Sequence, residues 1–145
     1  MDIPHAIRAA SDAALSGKIP VFRSEPYQWL VRDVMQALDD SGYDILCVNM
    51  PRLRDPRAAK PYILDPRSAF PRPTGHRAVV LVYQIEQAAP QALFETVMAC
   101  EESARRGNGV FYMTTPYDRR FIDSDTYAII DVPPDMPYDH RIDRT

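Results

Sequence analysis

Two hydrophobic rhythms run along the chain. Leu30, Val31, Val34, Ala37 and Leu38 recur at helical spacing, the mark of a helix that buries one stripe. Other segments are apolar almost throughout: DILCVNM at 44–50, AVVLVY at 78–83, VFYMT at 110–114 and YAIIDV at 127–132. Short unbroken apolar runs are how strands covered on both faces read. A shorter run, Ile19 to Phe22, predicts one more strand.

Helix signals fall between these runs. Asp2 suits the cap of a first helix, with Pro4 in its first turn, a weak stripe of Ile3, Ile7, Ala10 and Ala14, and Gly17 just past its end. Ser24 and Pro26 suit the N-cap and first turn of a helix from about Tyr27 to Asp40, stopped by Ser41-Gly42. Pro90 opens a third, to about Arg105, lined by Leu93, Val97, Cys100 and Ala104. Gly107-Asn108-Gly109 then predicts a turn.

From Pro51 to Gly75 a proline falls at every fifth position: Pro51, Pro56, Pro61, Pro66 and Pro71. Proline removes ladder donors, so the stretch predicts extended loop or short edge structure. The residues between do not match, so no repeat is inferred. A loop of this length in a compact domain is usually functional or mobile. Pro133, Pro134 and Pro137 predict a non-helical end, giving a single domain over residues 1–135 and a flexible tail over 136–145.

Strands alternating with amphipathic helices imply βαβ units. The expected fold is α/β, a three-layer α/β/α sandwich with a five-stranded, mostly parallel sheet. Ligands of such sheets sit at the carboxyl ends of the strands. Asn49, Thr114, Thr115 and Asp118 are expected to cluster there with Arg52 nearby. They form a candidate ligand or partner surface, or equally a set that caps loop backbone.

Composition narrows the chemistry. At 145 residues the chain has room for one ordinary domain. A net charge of −3 makes no electrostatic case for nucleic acid. No apolar run approaches a membrane span, and MDIPHAIRAA does not read as a signal peptide, so a cytoplasmic protein without membrane contact is expected. Cys47 and Cys100 are expected to be buried free thiols. His5, His76 and His140 are too scattered, with two cysteines, to make a metal site or a Ser-His-Asp set. Proline numbers 14 and glycine only 5, and glycine is what lets backbone approach a phosphate closely. Tyr27, Trp29, Tyr62, Phe70, Tyr117 and Tyr138 fall in loops or at element boundaries. If several converge, they make a partner surface.

The ordered segments PVF at 20–22, LVRDVMQAL at 30–38, YDILCVNMPRLRDP at 43–56, RAVVLVYQIEQAAPQALFETVM at 77–98, GVFYMTTPYD at 109–118 and YAIIDVPPD at 127–135 resemble the core of MoxR-type AAA+ ATPases. The resemblance covers about residues 15–135 and implies a lidless P-loop-type core with strand order 5-1-4-3-2. It breaks at the positions that carry the family's chemistry. The phosphate-binding loop needs G-x-x-x-x-G-K-[ST]. The corresponding segment is RSEPYQW at 23–29, so Ser24, Glu25 and Pro26 stand where the cradle is expected, with neither Gly nor Lys. Lys18 and Lys60, the two lysines of the chain, precede Ile19 and Pro61, so no G-K-[ST] occurs. Tyr83 and Gln84 stand at the family's magnesium-binding acids. Thr114 stands at its sensor asparagine, and Thr126 near its arginine finger. Strand alternation would put Glu86 on the face of Gln84 as a substitute acid, though a solvated loop carboxylate is the plainer reading.

The expectation is a non-catalytic, AAA+-like pseudo-ATPase without cofactor. It would act as a protein-binding or regulatory module whose partner is an AAA+ ATPase, that ATPase's client or a second copy of the chain. The alternatives are a sensor of a small ligand or nucleotide without hydrolysis, and an enzyme of unrelated chemistry.

Overall fold

The computed structural model describes residues 3–25, 30–71 and 74–132. Five strands, β1 (Ile19–Arg23), β2 (Tyr43–Asn49), β3 (Arg77–Tyr83), β4 (Gly109–Thr114) and β5 (Tyr127–Asp131), form one sheet in the order β2-β3-β4-β1-β5. Every neighbouring pair is parallel. Read from the other edge, the order is the 5-1-4-3-2 that the resemblance implies.

Strand alternation divides the core in two. Val79 and Leu81 of β3 and Phe111 and Met113 of β4 face α1 (Ile3–Leu15) and α2 (Leu30–Asp40). Val80 and Val82, with Val110 and Tyr112, face the opposite layer, α3 (Pro56–Leu64) and α4 (Pro90–Arg105). Central strands bury both faces because helices lie on each. Gly17 and Gly42 take φ of 84° and 89° just past α1 and α2, where a left-handed residue closes a helix without a Cβ penalty.

Two expectations change. β2 is not covered on both faces: it is an edge strand, and only Val48 of its seven residues is fully buried. Its apolar run is half-exposed, and Cys47 is an exposed thiol, while Cys100 is buried as expected. Residues 51–75 are not extended loop but hold a helix. Asp55 caps α3, its Oδ1 accepting from the Arg57 N–H at 3.0 Å. Pro56 takes the first helical position, where proline is favoured, and Pro66 likewise opens a single 3₁₀ turn, Pro66–Ala69. Pro61 does lie inside α3, at a typical cost of about 3 kcal/mol. Tertiary bonds offset it. Ser103 Oγ donates to the Ile63 carbonyl at 2.6 Å, and Asn108 Nδ2 to the Leu64 carbonyl at 3.0 Å, while Ile63 is buried. Ser24 Oγ donates to the Glu25 carbonyl at 3.1 Å, and the first turn that Ser24 is expected to cap lies outside the described residues. Asp2, Pro26, Tyr27, Trp29, Tyr138, His140 and the 136–145 tail lie outside the described residues.

Candidate functional site

The carboxyl ends of β1, β3 and β4 meet in a small polar cluster. β1 leaves the sheet at Ser24, which is buried and whose N–H donates to the Thr114 carbonyl at 3.1 Å. Thr114 Oγ1 donates to Asp118 Oδ2 at 2.7 Å. Arg120 clamps the same carboxylate, giving its backbone N–H and Nε to Oδ1 at 2.9 and 3.0 Å, and Nη2 to Oδ2 at 2.8 Å. Nη2 also reaches the Ile85 carbonyl at 3.4 Å, fastening this turn to the end of β3.

The Asp118 side chain is only 3% exposed. Burial pushes its carboxyl up, but the bonds from Arg120 and Thr114 outweigh burial and hold it below the usual carboxylate range. The same contact with Asp118 raises Arg120. A fork-on-carboxylate bond of this kind is stronger than a neutral one. Nearby, Tyr117 is exposed and donates its hydroxyl to Glu25 Oε1 at 2.7 Å, which pushes the phenol up.

Glu86, Thr115, Tyr117, Asp118, Arg119 and Arg120 line an open cleft of about 490 Å³. Glu86 reaches it by a turn rather than by strand alternation. Gln84 adopts φ 55° and ψ 40°, and Ile85–Gln87 form a 3₁₀ turn, so the alternation expected to carry Glu86 ends at Tyr83. Gln84 is the one non-glycine residue with positive φ among the described residues.

The expected five-residue cluster divides. Thr114, Thr115 and Asp118 come together. Asn49 and Arg52 do not join them. They line a separate depression of about 280 Å³ with Leu46, Cys47, Leu53, Tyr62 and Ile63. The cause is topology: β2 and β4 flank β3, and two strand spacings separate them by about 10 Å. Tyr83 ends β3, where burial raises its phenol. Sequence reasoning missed Arg120 as the partner of Asp118. A spacing of two residues was the available signal, but two adjacent arginines, Arg119 and Arg120, follow the acid and the sequence does not mark which of them turns back to it.

Chemically the cluster is self-satisfied. Its central acid is ionised and clamped, and its central cation is the clamp. Among the described residues no group of three His, Cys, Asp or Glu side chains is placed to hold a metal ion, and no helix is long and apolar enough to cross a membrane.

No protein-family model matches the chain, and no curated protein shows significant similarity to it.

Proposed function

We propose that the chain is a non-catalytic module of P-loop-like fold that works through protein contacts. One observation carries this reading. At the end of β1, where a fold of this strand order would cradle a triphosphate, the buried Ser24 amide is bonded to the Thr114 carbonyl, and the turn beside it is filled by the Thr114–Asp118–Arg120 cluster. A phosphate needs free backbone amides and a mobile cation there. Lysine is absent from residues 19–59, and Arg120 is engaged by Asp118. Calorimetry of the purified chain with magnesium-ATP tests the reading. No heat of binding is expected, and a micromolar Kd would overturn it.

A second reading, a small-ligand sensor, draws on the cleft beside Gln84. Strained non-glycine backbone collects at functional sites, and Arg119 stands exposed on the same cleft. A ligand bound to the native state raises the melting temperature in proportion to RT ln(1 + [L]/Kd). Thermal melts against a panel of small anions and nucleotides separate the readings: a saturable shift favours the sensor, and a flat panel favours the contact module.

A further inference from the structure

The outer edge of β2 is only lightly protected. Natural edge strands blunt themselves with Lys, Pro, bulges or inward charges. β2 reads YDILCVN, with neither Lys nor Pro; its one charge, Asp44, is turned inward and clamped by Arg67 and Thr74 near the start of the strand, and the strand pairs with β3 in unbroken register from Tyr43 to Asn49. Beside it lie two grooves. On the α2 side, Val31, Met35, Tyr43, Ile45 and Phe70 line one of about 760 Å³. On the α3 side, Leu46, Leu53, Tyr62 and Ile63 line the depression of about 280 Å³ already described. Cys47 stands exposed between them.

Charge selects the occupant. Asp39 and Asp40 are exposed where α2 hands over to β2, and Arg52 and Arg54 are exposed just beyond the other end of the strand. Arg67 and His76 also lie at the start but face Asp44, and Asp55 at the finish caps α3, so the remaining balance is acid at the start and base at the finish. A second copy laid parallel would set acid on acid and base on base. Laid antiparallel about Leu46, it sets Asp39 and Asp40 of each copy against Arg52 and Arg54 of the other. The same two-fold axis, perpendicular to the sheet, lays α2 antiparallel to its symmetry mate. An interface in which one patch serves both partners is the commonest kind of homodimer contact.

We propose that two copies of this chain join through antiparallel β2 edges, making a continuous ten-stranded sheet. The proposal rests on the reading of the protein as a contact module and names its first partner. The edge is about 23 Å long at strand rise, and strand pairing supplies main-chain bonds while the grooves supply side-chain fit.

Light scattering on the full chain across a concentration series tests it. The expected mass at high concentration is twice 16.5 kDa. Cys47→Lys, at an exposed position beside Met35, should lower association at least tenfold with an unchanged circular dichroism spectrum. Charge supplies an independent arm. Asp39→Arg with Asp40→Arg should weaken the dimer. Adding Arg52→Asp and Arg54→Asp to the same chain should restore it, because each copy again offers opposite ends. A short thiol-to-thiol crosslinker should join wild-type copies through Cys47. A monomer at every concentration overturns the proposal, and so does a dimer indifferent to Cys47→Lys or to charge reversal. A monomer that binds no nucleotide removes the β2 dimer alone. A chain that binds magnesium-ATP removes the underlying reading whatever its mass.

Discussion

Gly109 opens β4 opposite Val79, and a Cβ built on it would lie 2.7 Å from Val79 Cγ1. Val79 is fully buried and branched at its β-carbon, so it has little room to yield. Gly109→Ala is expected to cost about 1–3 kcal/mol, the usual range for overpacking, read as a lower urea midpoint. An unaltered midpoint would mean that β3 and β4 part easily. Gln84 poses the opposite case. Its left-handed backbone costs a residue with a Cβ about 1–2 kcal/mol, so Gln84→Gly should be neutral or stabilising, while Gln84→Val should lower the midpoint. Neither position was fully legible in the sequence. Gly107-Asn108-Gly109 reads as one turn, and Gly107 does take a φ of 90°. Gly109 is instead glycine for space, and the atom that demands it comes from a strand thirty residues away.

Among the elements, β1, β3 and β4 were plain in the pattern because burial on both faces leaves an unbroken apolar run. The same run misled at β2, where the edge leaves Ile45, Leu46 and Cys47 partly or wholly exposed. Periodicity reports which residues are apolar, and strand order decides which of them find cover. The two thiols make the difference measurable. In native protein Cys47 should be the cysteine that reacts with a thiol reagent, at a rate held back by the partial burial that raises its thiol. Cys100, fully buried with its thiol pushed up to about 12, should react only on unfolding. Two reactive thiols would contradict the buried α4 face. α3 was hidden because five prolines masked it, although three of them sit where helical turns begin. The turn after β4 carries a pH prediction. Asp118 titrates lower in the folded chain than in the unfolded one. Its contribution is therefore complete above the unfolded value of about 4 and is lost as pH falls through the folded value. Wild type should lose stability more steeply than Asp118→Asn as pH falls below about 4. At neutral pH the variant should be less stable by about 1–3 kcal/mol. Parallel pH profiles would show that the clamp contributes nothing.

For the molecule as a whole, the strand order was legible only through likeness to a family pattern, since alternation of helix and strand predicts layers but not which strand lies where. The candidate site was half legible: Thr114, Thr115 and Asp118 meet, while the clamp by Arg120 and the separation of Asn49 and Arg52 depend on distances that one-dimensional spacing does not hold. The order also bears on biosynthesis. β1 is made first among the strands, yet its two neighbours, β4 and β5, come from residues 109–131. A nascent chain leaving the ribosome therefore carries an apolar strand that waits until residues 109–131 are made before either side is paired. Chains stalled before residue 109 should be cut readily by protease near Ile19–Arg23, and chains released beyond residue 131 should resist. Arrest-peptide or truncation series would time that closure, and the window before it is when this protein most needs a chaperone.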